Sequence, residues 1–176
     1  MSEALEFLND LFAKAKKAGA DAADGHHVVS QSLSTSMRMG KREDLERSES
    51  LDMMLRVFIG QRQACVASSD TSAQAMEELV ERAVSMAKVA PEDPYCGLAP
   101  EDRLAKKWPD LDLFDDYEYD TEALYGIAAE TEEAALAVDG VTNSNGAGAG
   151  WSSAEVAIAT SHGFAGTYKS SSYSLS

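Results

Sequence analysis

The chain has 176 residues, 44% hydrophobic and 26% charged, which is the composition of a folded globular protein long enough to bury a core. Thirty Asp and Glu against fifteen Lys and Arg give a formal net charge of −15, which argues against direct binding of nucleic acid. No apolar run approaches the roughly 20 residues of a membrane-spanning helix, and the acidic start MSEALEFLND is not a signal peptide, so we expect a cytoplasmic protein that does not bind membranes.

The N-terminal part of the chain shows a change in apolar period. Residues 3–18 carry apolar side chains at helical spacing, with Ser2 as a candidate N-cap and Gly19 directly after, which predicts an amphipathic helix. Over about 28–68 the period becomes two, and short turns predict four consecutive antiparallel strands. One face of the third predicted strand collects large apolar side chains, namely Leu51, Met53, Leu55, Val57 and Ile59.

The C-terminal part begins with a second predicted helix at 72–89, which ends before Pro91. Residues 91–119 hold all four prolines and many acidic residues, so we expect an extended connector that packs on the domain through its apolar side chains. A third helix is predicted at about 120–138. Alternation on both sides of His162-Gly163 then predicts a terminal β-hairpin.

This order of elements predicts an α+β fold: an antiparallel β-sheet with helices packed on one face, followed by a partly formed β-rich region at the C-terminal end. We divide the chain into a helix–sheet–helix domain (1–90), the acidic connector (91–119), and a helix with the terminal hairpin (120–176). The last strand runs to Ser176 without a closing Gly, Pro or charged tail. We therefore expect it to lead into a further C-terminal region.

Histidine and cysteine spacing does not predict a metal site. Zinc needs three or four ligands at recognisable spacing, whereas His26 and His27 are adjacent on a predicted strand and His162 precedes a turn. Cys65 and Cys96 form no C-x-x-C pair, and we expect two free, packed thiols. We predict that residues 1–176 provide no metal ligands and bind no cofactor.

Other polar clusters also lack a catalytic arrangement. The stretch NGAGAGW at 145–151 leads into a strand, so no helix N-terminus faces a phosphate, and a closely packed glycine-rich strand is the better interpretation. The serines near the C-terminus have no G-x-S-x-G context and are expected on a polar strand face: Ser170, Ser171, Ser172 and Ser174. Tyr117 and Tyr119 fit a solvated connector, and Glu77-Glu78 an exposed helix side. We predict no catalytic residue in this chain.

Three stretches together resemble one known family. EDPYCGLA at 92–99 is similar to the E-D-P-Y-x-G-L segment of the PmbA/TldE-like branch of the TldD/PmbA family. The run GVTNSNGAGAGWSSAEVAIATSHGFAGTYKSSSYSLS at 140–176 resembles the family's strand pair that leads towards its C-terminal part. The run SLDMMLRVFIGQRQACVASSD at 50–70, followed by a helix, resembles the layout of its N-terminal sheet.

The resemblance implies a cytoplasmic protein that pairs with a TldD-like subunit in a heterodimer. Such a pair resembles a metallopeptidase for flexible or unfolded peptides, linked to peptide-antibiotic maturation, antitoxin degradation and, by name, modulation of DNA gyrase. The H-E-x-x-x-H motif that binds a zinc-type metal belongs to the TldD subunit. No residue of that metal site can therefore be assigned to this sequence.

Two functions remain open at this stage. The chain could be the N-terminal domain of the non-catalytic subunit, helping to enclose the chamber and receive peptide. It could instead be a non-enzymatic regulatory module for a partner protein linked to gyrase or to a toxin–antitoxin pair. The terminal hairpin adds an expectation of its own: its uncovered edge either pairs two copies as a homodimer or leaves the last residues disordered.

Overall fold

The structure, a computed structural model, describes residues 2–176. A short 3₁₀ turn, Glu101–Arg103, lies in the connector. The helices and strands, in chain order, are α1 (Glu3–Ala18), β1 (Ala22–Arg38), β2 (Lys41–Ile59), β3 (Arg62–Ser68), α2 (Ala73–Val89), α3 (Thr121–Leu136), β4 (Ala147–Thr160) and β5 (Ala165–Leu175).

The helix boundaries follow the capping signals in the sequence. The Ser2 hydroxyl accepts a hydrogen bond from the backbone N–H of Leu5, and the Ser72 hydroxyl accepts one from Ala75. Gly19 ends α1 in the left-handed conformation, with φ of 105°. The three predicted helices are thus confirmed within two residues at each end.

The five strands form one sheet in the order β3-β2-β1-β4-β5, and the predicted α+β class with an antiparallel sheet is confirmed. The terminal hairpin, expected to begin a separate β-rich region, is β4–β5 and belongs to this same sheet. Ile59 pairs with Arg62 across the two-residue turn at 60–61, as its Gly-Gln sequence indicates.

The strand count between 22 and 68 differs from the prediction of four strands. β2 is a single strand of 19 residues, and β1 begins six residues before Val28. The charged run KREDLERSES contains no Gly, Pro or Asn, so it lacks the strongest turn formers before Leu51. A long charged strand therefore continues where two shorter strands were expected.

One compact unit consists of residues 2–29, 50–111 and 155–168. Its core packs the apolar faces of α1 and α2 against Met53, Leu55 and Val57, which are fully buried. The predicted inward face of β2 is confirmed for these three side chains, and Ile59 packs at its border, whereas Leu51 is only half-buried and lies outside the core.

The first part of the connector is bonded to this unit at several points. The backbone N–H of Asp93 donates to Gln61 O (2.7 Å), and Arg62 pairs with Glu92 (2.9 Å). The Trp108 ring lies 6.3 Å from that of Phe164. The connector is thus held by backbone and ring contacts, although most of its side chains are exposed.

The second compact unit consists of residues 30–49, 112–154 and 169–176. Its small core packs Leu124, Tyr125 and Ala128 of α3 against Met37 of β1 and Ala149 of β4. No helix among residues 2–176 is long and apolar enough to cross a membrane.

Candidate functional site

The most elaborate polar arrangement in the second unit begins where α3 meets the β1–β2 turn. The carboxylate of Glu132, which is only 3% exposed, accepts hydrogen bonds from the backbone N–H groups of Met39 and Gly40, both at 2.8 Å. Met39 (φ 49°) and Gly40 (φ 71°) are both in the left-handed region that this tight turn requires. The Gly40 N–H, with help from Ser144, lowers the pKa of Glu132.

A second contact between α3 and β2 lies on the surface. Arg42 forms a bidentate ion pair with Glu122 and lies 4.4 Å from the centre of the Tyr125 ring. The hydrogen bond from Arg42 lowers the pKa of Glu122. Tyr125 also donates its hydroxyl to Asp44 O at 3.0 Å. Together with Glu132, these contacts fix the exposed β1–β2 hairpin to the helix.

The end of the connector, residues 112–119, runs beside β5, and we refer to it as the strap. Ser171 donates its backbone N–H to Leu113 O (2.9 Å), and its hydroxyl accepts the N–H of Asp115 (2.9 Å). Tyr173 donates its hydroxyl to Tyr117 O at 2.8 Å. The strap is therefore bonded to β5 through both backbone and side-chain atoms.

Three tyrosine rings anchor the far end of the strap. The ring of Tyr119 lies 4.8 Å from Tyr117 and 5.3 Å from Tyr173, each pair packed edge to face. Tyr119 also packs at the border of the α3 core. Glu118 accepts a hydrogen bond from Gln31 of β1 at 3.2 Å.

An open groove of about 670 Å³ lies between the strap and β5. Its wall carries three carboxylates and two hydroxyls beside apolar side chains: Asp112, Asp115, Asp116, Ser171, Tyr173, Leu113 and Phe114. Burial raises the pKa of Tyr173, and the nearby Asp115 carboxylate adds to the shift. The groove thus offers acceptor oxygens and aromatic surface, but no nucleophile paired with a base.

The opposite face of this part of the sheet is rich in hydroxyl groups. A Cβ atom on Gly150 would lie 2.8 Å from the Ser174 hydroxyl, and one on Gly148 would lie 3.1 Å from the Ser176 hydroxyl. The glycines of NGAGAGW therefore allow close side-chain approach within a strand, as predicted, and β4 begins at Ala147, before Trp151.

The predicted polar face of serines is correct for three of the four residues. Reciprocal backbone hydrogen bonds join Ser176 to Gly148, so the even-numbered serines share the face of Gly148 and Gly150: Ser170, Ser172 and Ser174. Ser171 points to the other face, where it bonds to the strap.

The histidines are dispersed. His27 packs its ring 5.6 Å from Phe7, and burial lowers its pKa against the opposing effect of Glu3. His162 bonds through Nε2 to Ala99 O (2.7 Å) and through Nδ1 to the Thr160 hydroxyl (2.8 Å). Its role is therefore to hold the connector to the β4–β5 turn, which is more than the simple turn position that the sequence indicated.

The other residues considered in the sequence do not converge either. Cys96 is half-buried, but Cys65 is exposed, so the expectation of packed thiols is wrong for Cys65, which follows buried Ala64 on a strand and points to the other face. Glu77 and Glu78 lie on the exposed side of α2. Within residues 2–176, no three His, Cys, Asp or Glu side chains are grouped so that they could hold a metal ion.

Sequence reasoning missed the two side chains that organise the second unit. Glu132 lies among acidic and alanine residues of α3, and nothing in that pattern distinguishes it from exposed glutamates. Tyr173 alternates with serines on a strand, and its partner lies 56 residues away. The one available signal was the cluster of aromatic residues in DLFDDYEYD. Two residues of this cluster, Tyr117 and Tyr119, are the ones that contact Tyr173 in the structure.

Comparisons with known proteins agree with this architecture. Residues 27–87 match the PmbA/TldA metallopeptidase domain 1, and residues 114–176 match the PmbA/TldA metallopeptidase central domain, together more than half of the chain. The metalloprotease PmbA homolog of Haemophilus influenzae is 34% identical over 177 residues. That alignment covers all of this chain but only 38% of the relative's length.

Two solved structures share the fold. A candidate modulator of DNA gyrase from Bacteroides thetaiotaomicron superposes with a TM-score of 0.89 over 99% of this chain and 40% of its own, at 22% identity. TldE from Thermococcus kodakarensis superposes with a TM-score of 0.80 over 96% of this chain and 38% of its own, at 17% identity. At these identities the likeness supports the fold alone.

Proposed function

Because the chain belongs to the PmbA/TldD metallopeptidase family, we propose that it forms the N-terminal part of a PmbA/TldE-like, non-catalytic subunit. In this proposal it pairs with a TldD-like subunit, and the pair cleaves flexible or unfolded peptides in the cytoplasm. Peptide-antibiotic precursors and antitoxins are the proposed substrates.

The observation that carries the proposal is the consecutive match to two domains of one family. Domain 1 of the family aligns with most of β1, all of β2 and β3, and most of α2, and the central domain aligns with most of the strap, α3 and the β4–β5 hairpin. The matched PmbA homolog is more than twice as long as this chain, so the activity of the whole relative is proposed here, not transferred.

The proposed division of labour follows from the side chains present. A catalytic zinc site needs three protein ligands around an open position, and residues 2–176 bring no such set together. The described residues therefore do not fit the metal that the family name implies, and we assign no step of hydrolysis to them. In the proposed heterodimer the metal ion is held by the TldD-like subunit.

In the proposed heterodimer, this chain would form part of the wall and of the peptide-binding surface of the chamber in which peptides are cleaved. The groove beside β5 presents carboxylates, hydroxyls and aromatic rings, which can contact an extended peptide without selecting one sequence. The net charge of −15 favours basic over acidic peptides, and it disfavours nucleic acid as a ligand.

Co-expression with a TldD-like subunit tests the proposal. We expect a stable 1:1 complex by light scattering, and we expect cleavage of a flexible peptide such as casein only when the H-E-x-x-x-H subunit is present. The matched control is the same complex with the metal-binding motif disabled. The chain alone should be inactive. Cleavage by the isolated chain that is lost on mutating a residue within 2–176 would contradict the proposed division of labour.

Identifying the protein that co-purifies with this chain distinguishes the alternative, non-enzymatic function from the proposed one. A non-enzymatic module would form a stable complex with a gyrase-linked or toxin–antitoxin-linked protein and would ignore the TldD-like subunit. We include this alternative because the similar structure from Bacteroides thetaiotaomicron is described as a candidate modulator of DNA gyrase.

A further inference from the structure

Within residues 2–176, β5 is the end strand of the sheet, so one of its edges is turned away from β4. Ser176 and Gly148 exchange backbone hydrogen bonds, and Phe164 O accepts from Thr160 N, so even-numbered β5 residues direct their backbone groups to β4. Odd-numbered residues direct theirs to the outer edge, because alternate residues of a strand bond to opposite sides. The outer edge is therefore formed by the backbone of Lys169, Ser171, Tyr173 and Leu175.

An outer strand edge is a template for pairing with another chain unless charge, a bulge or a covering segment blocks it. β5 has little of the first protection, because Lys169 is its only charged residue in a chain of net charge −15. The side chains of these odd-numbered residues are partly apolar, with Tyr173 and Leu175 43% and 59% exposed. By contrast, the exposed half of β2 is protected by the charged run KREDLERSES.

The strap lies on this outer edge. Ser171, at the middle of the outward-directed residues, donates its N–H to Leu113 O of the strap in place of another strand. The strap returns a bond from Asp115 N to the Ser171 hydroxyl, and Tyr117 O accepts the Tyr173 hydroxyl. It forms no continuous ladder with β5, so side-chain contacts supply much of its attachment.

We propose that residues 112–119 protect the outer edge of β5, and that release of this strap allows two copies of the chain to pair through their β5 strands. A second copy fits the edge because antiparallel pairing of one strand with itself is two-fold symmetric, and Lys169 is the one charged residue within β5. The inference does not depend on the proposed peptidase role, since it concerns this chain alone.

The double variant Ser171→Ala/Tyr173→Phe tests the proposal on the full chain. It removes the acceptor for Asp115 N and the donor to Tyr117 O, but it keeps the Ser171 backbone and the aromatic ring. The matched control is Ser172→Ala/Tyr168→Phe, which makes the same two changes on β5 at residues that do not bond to the strap. Circular dichroism establishes that both variants remain folded.

Two readouts decide the outcome. Hydrogen exchange at the amide of residue 171 should be on the order of tenfold faster in the strap variant than in the wild type or the control, because its bond to Leu113 O is lost only if the strap lifts. Sedimentation velocity should show a concentration-dependent dimer of the strap variant and a monomer for the other two proteins.

Any of four results would overturn the inference. The first three are an unprotected amide at Ser171 in the wild type, an unchanged exchange rate in the strap variant, and a strap variant that remains a monomer while its residue 171 amide is exposed. A wild-type dimer whose β5 amides are protected at the interface would equally show that the strap does not block pairing. Failure of the proposed peptidase role would appear in the co-expression experiment and would leave these readouts unaffected.

Discussion

The same substitution, glycine to alanine, should have opposite effects at two positions of this chain. Gly25 lies on β1 in the first unit, where a Cβ atom would lie 2.6 Å from Met54 O and 3.2 Å from the Leu8 side chain. Gly126 lies on the exposed side of α3, where a Cβ atom would meet no heavy atom within 4 Å. The two sites therefore separate steric cost from backbone entropy.

The magnitude at Gly25 follows from what must move. The clashing atom is a backbone carbonyl oxygen of the neighbouring strand, so no side chain can turn away to relieve the contact. Overpacking of this kind costs about 1–3 kcal/mol, and the reduced entropy of the unfolded chain returns about 0.4–1 kcal/mol. We expect Gly25→Ala to destabilise the protein by about 1–2 kcal/mol.

At Gly126 only the favourable effect remains. Alanine in an exposed helix interior is more stable than glycine by about 0.5–1 kcal/mol. Gly126→Ala should therefore raise the free energy of unfolding by that amount. Urea titrations of the wild type and both variants, followed by circular dichroism, give the midpoints and slopes needed for the comparison.

Changes of equal sign at the two positions would refute this reasoning. A stabilising Gly25→Ala would mean that β1 and β2 are further apart than the distance of 2.6 Å between an alanine Cβ at position 25 and Met54 O implies. A destabilising Gly126→Ala would mean that another surface covers this side of α3.

The remaining predictions concern the core, one buried carboxylate and one histidine. Leu55→Asp places a carboxylate in a fully buried site and should cost more than about 4 kcal/mol, whereas Asp52→Asn, at an exposed site on the same strand, should change stability by less than about 0.5 kcal/mol in the same titration. The pKa of Glu132 is lowered in the folded state, so its stabilising effect is present above its ordinary pKa of about 4.3 and is lost as the pH falls through the folded value. The fall of the urea midpoint between pH 6 and pH 3 should thus be smaller in Glu132→Gln, and an identical pH profile would contradict the assigned contacts. His162→Ala should speed proteolysis near Ala99, with His26→Ala as the control, because only His162 bonds to the connector carbonyl.

Local signals in the sequence predicted the helices and the first core well. Ser2 and Gly19 have the chemistry that begins and ends a helix, and the alternation of Met53, Leu55 and Val57 requires one buried strand face. These signals lie within a few residues of the structure that they specify. They could therefore be interpreted without knowing any distant contact.

The second unit was less predictable because its contacts join distant residues through polar groups. Glu132 bonds to Met39 and Gly40 across more than ninety residues, and Ser171 bonds to Asp115 across 56. A glutamate that accepts two backbone N–H groups has the same sequence signature as a solvated one. Comparison with known families supplied what periodicity could not, namely that residues 114–176 match a single family domain, whereas the sequence had divided them between a connector and a helix with the terminal hairpin.

The different composition of the two units explains why polar contacts carry more of the second one. In the first unit, β2 and β3 place large apolar side chains against two helices, and the hydrophobic effect alone favours this packing. In the second unit α3 packs on the sheet face that carries Met37 and Ala149, and this core is small, so α3 is held there by specific hydrogen bonds as well. Hydrogen bonds to a buried carboxylate are costly to leave unmade, so Glu132 favours the one arrangement of the β1–β2 turn that directs both N–H groups to it. The strap extends the same principle to β5, since tyrosine rings and backbone bonds hold an edge beside which residues 2–176 place no further strand.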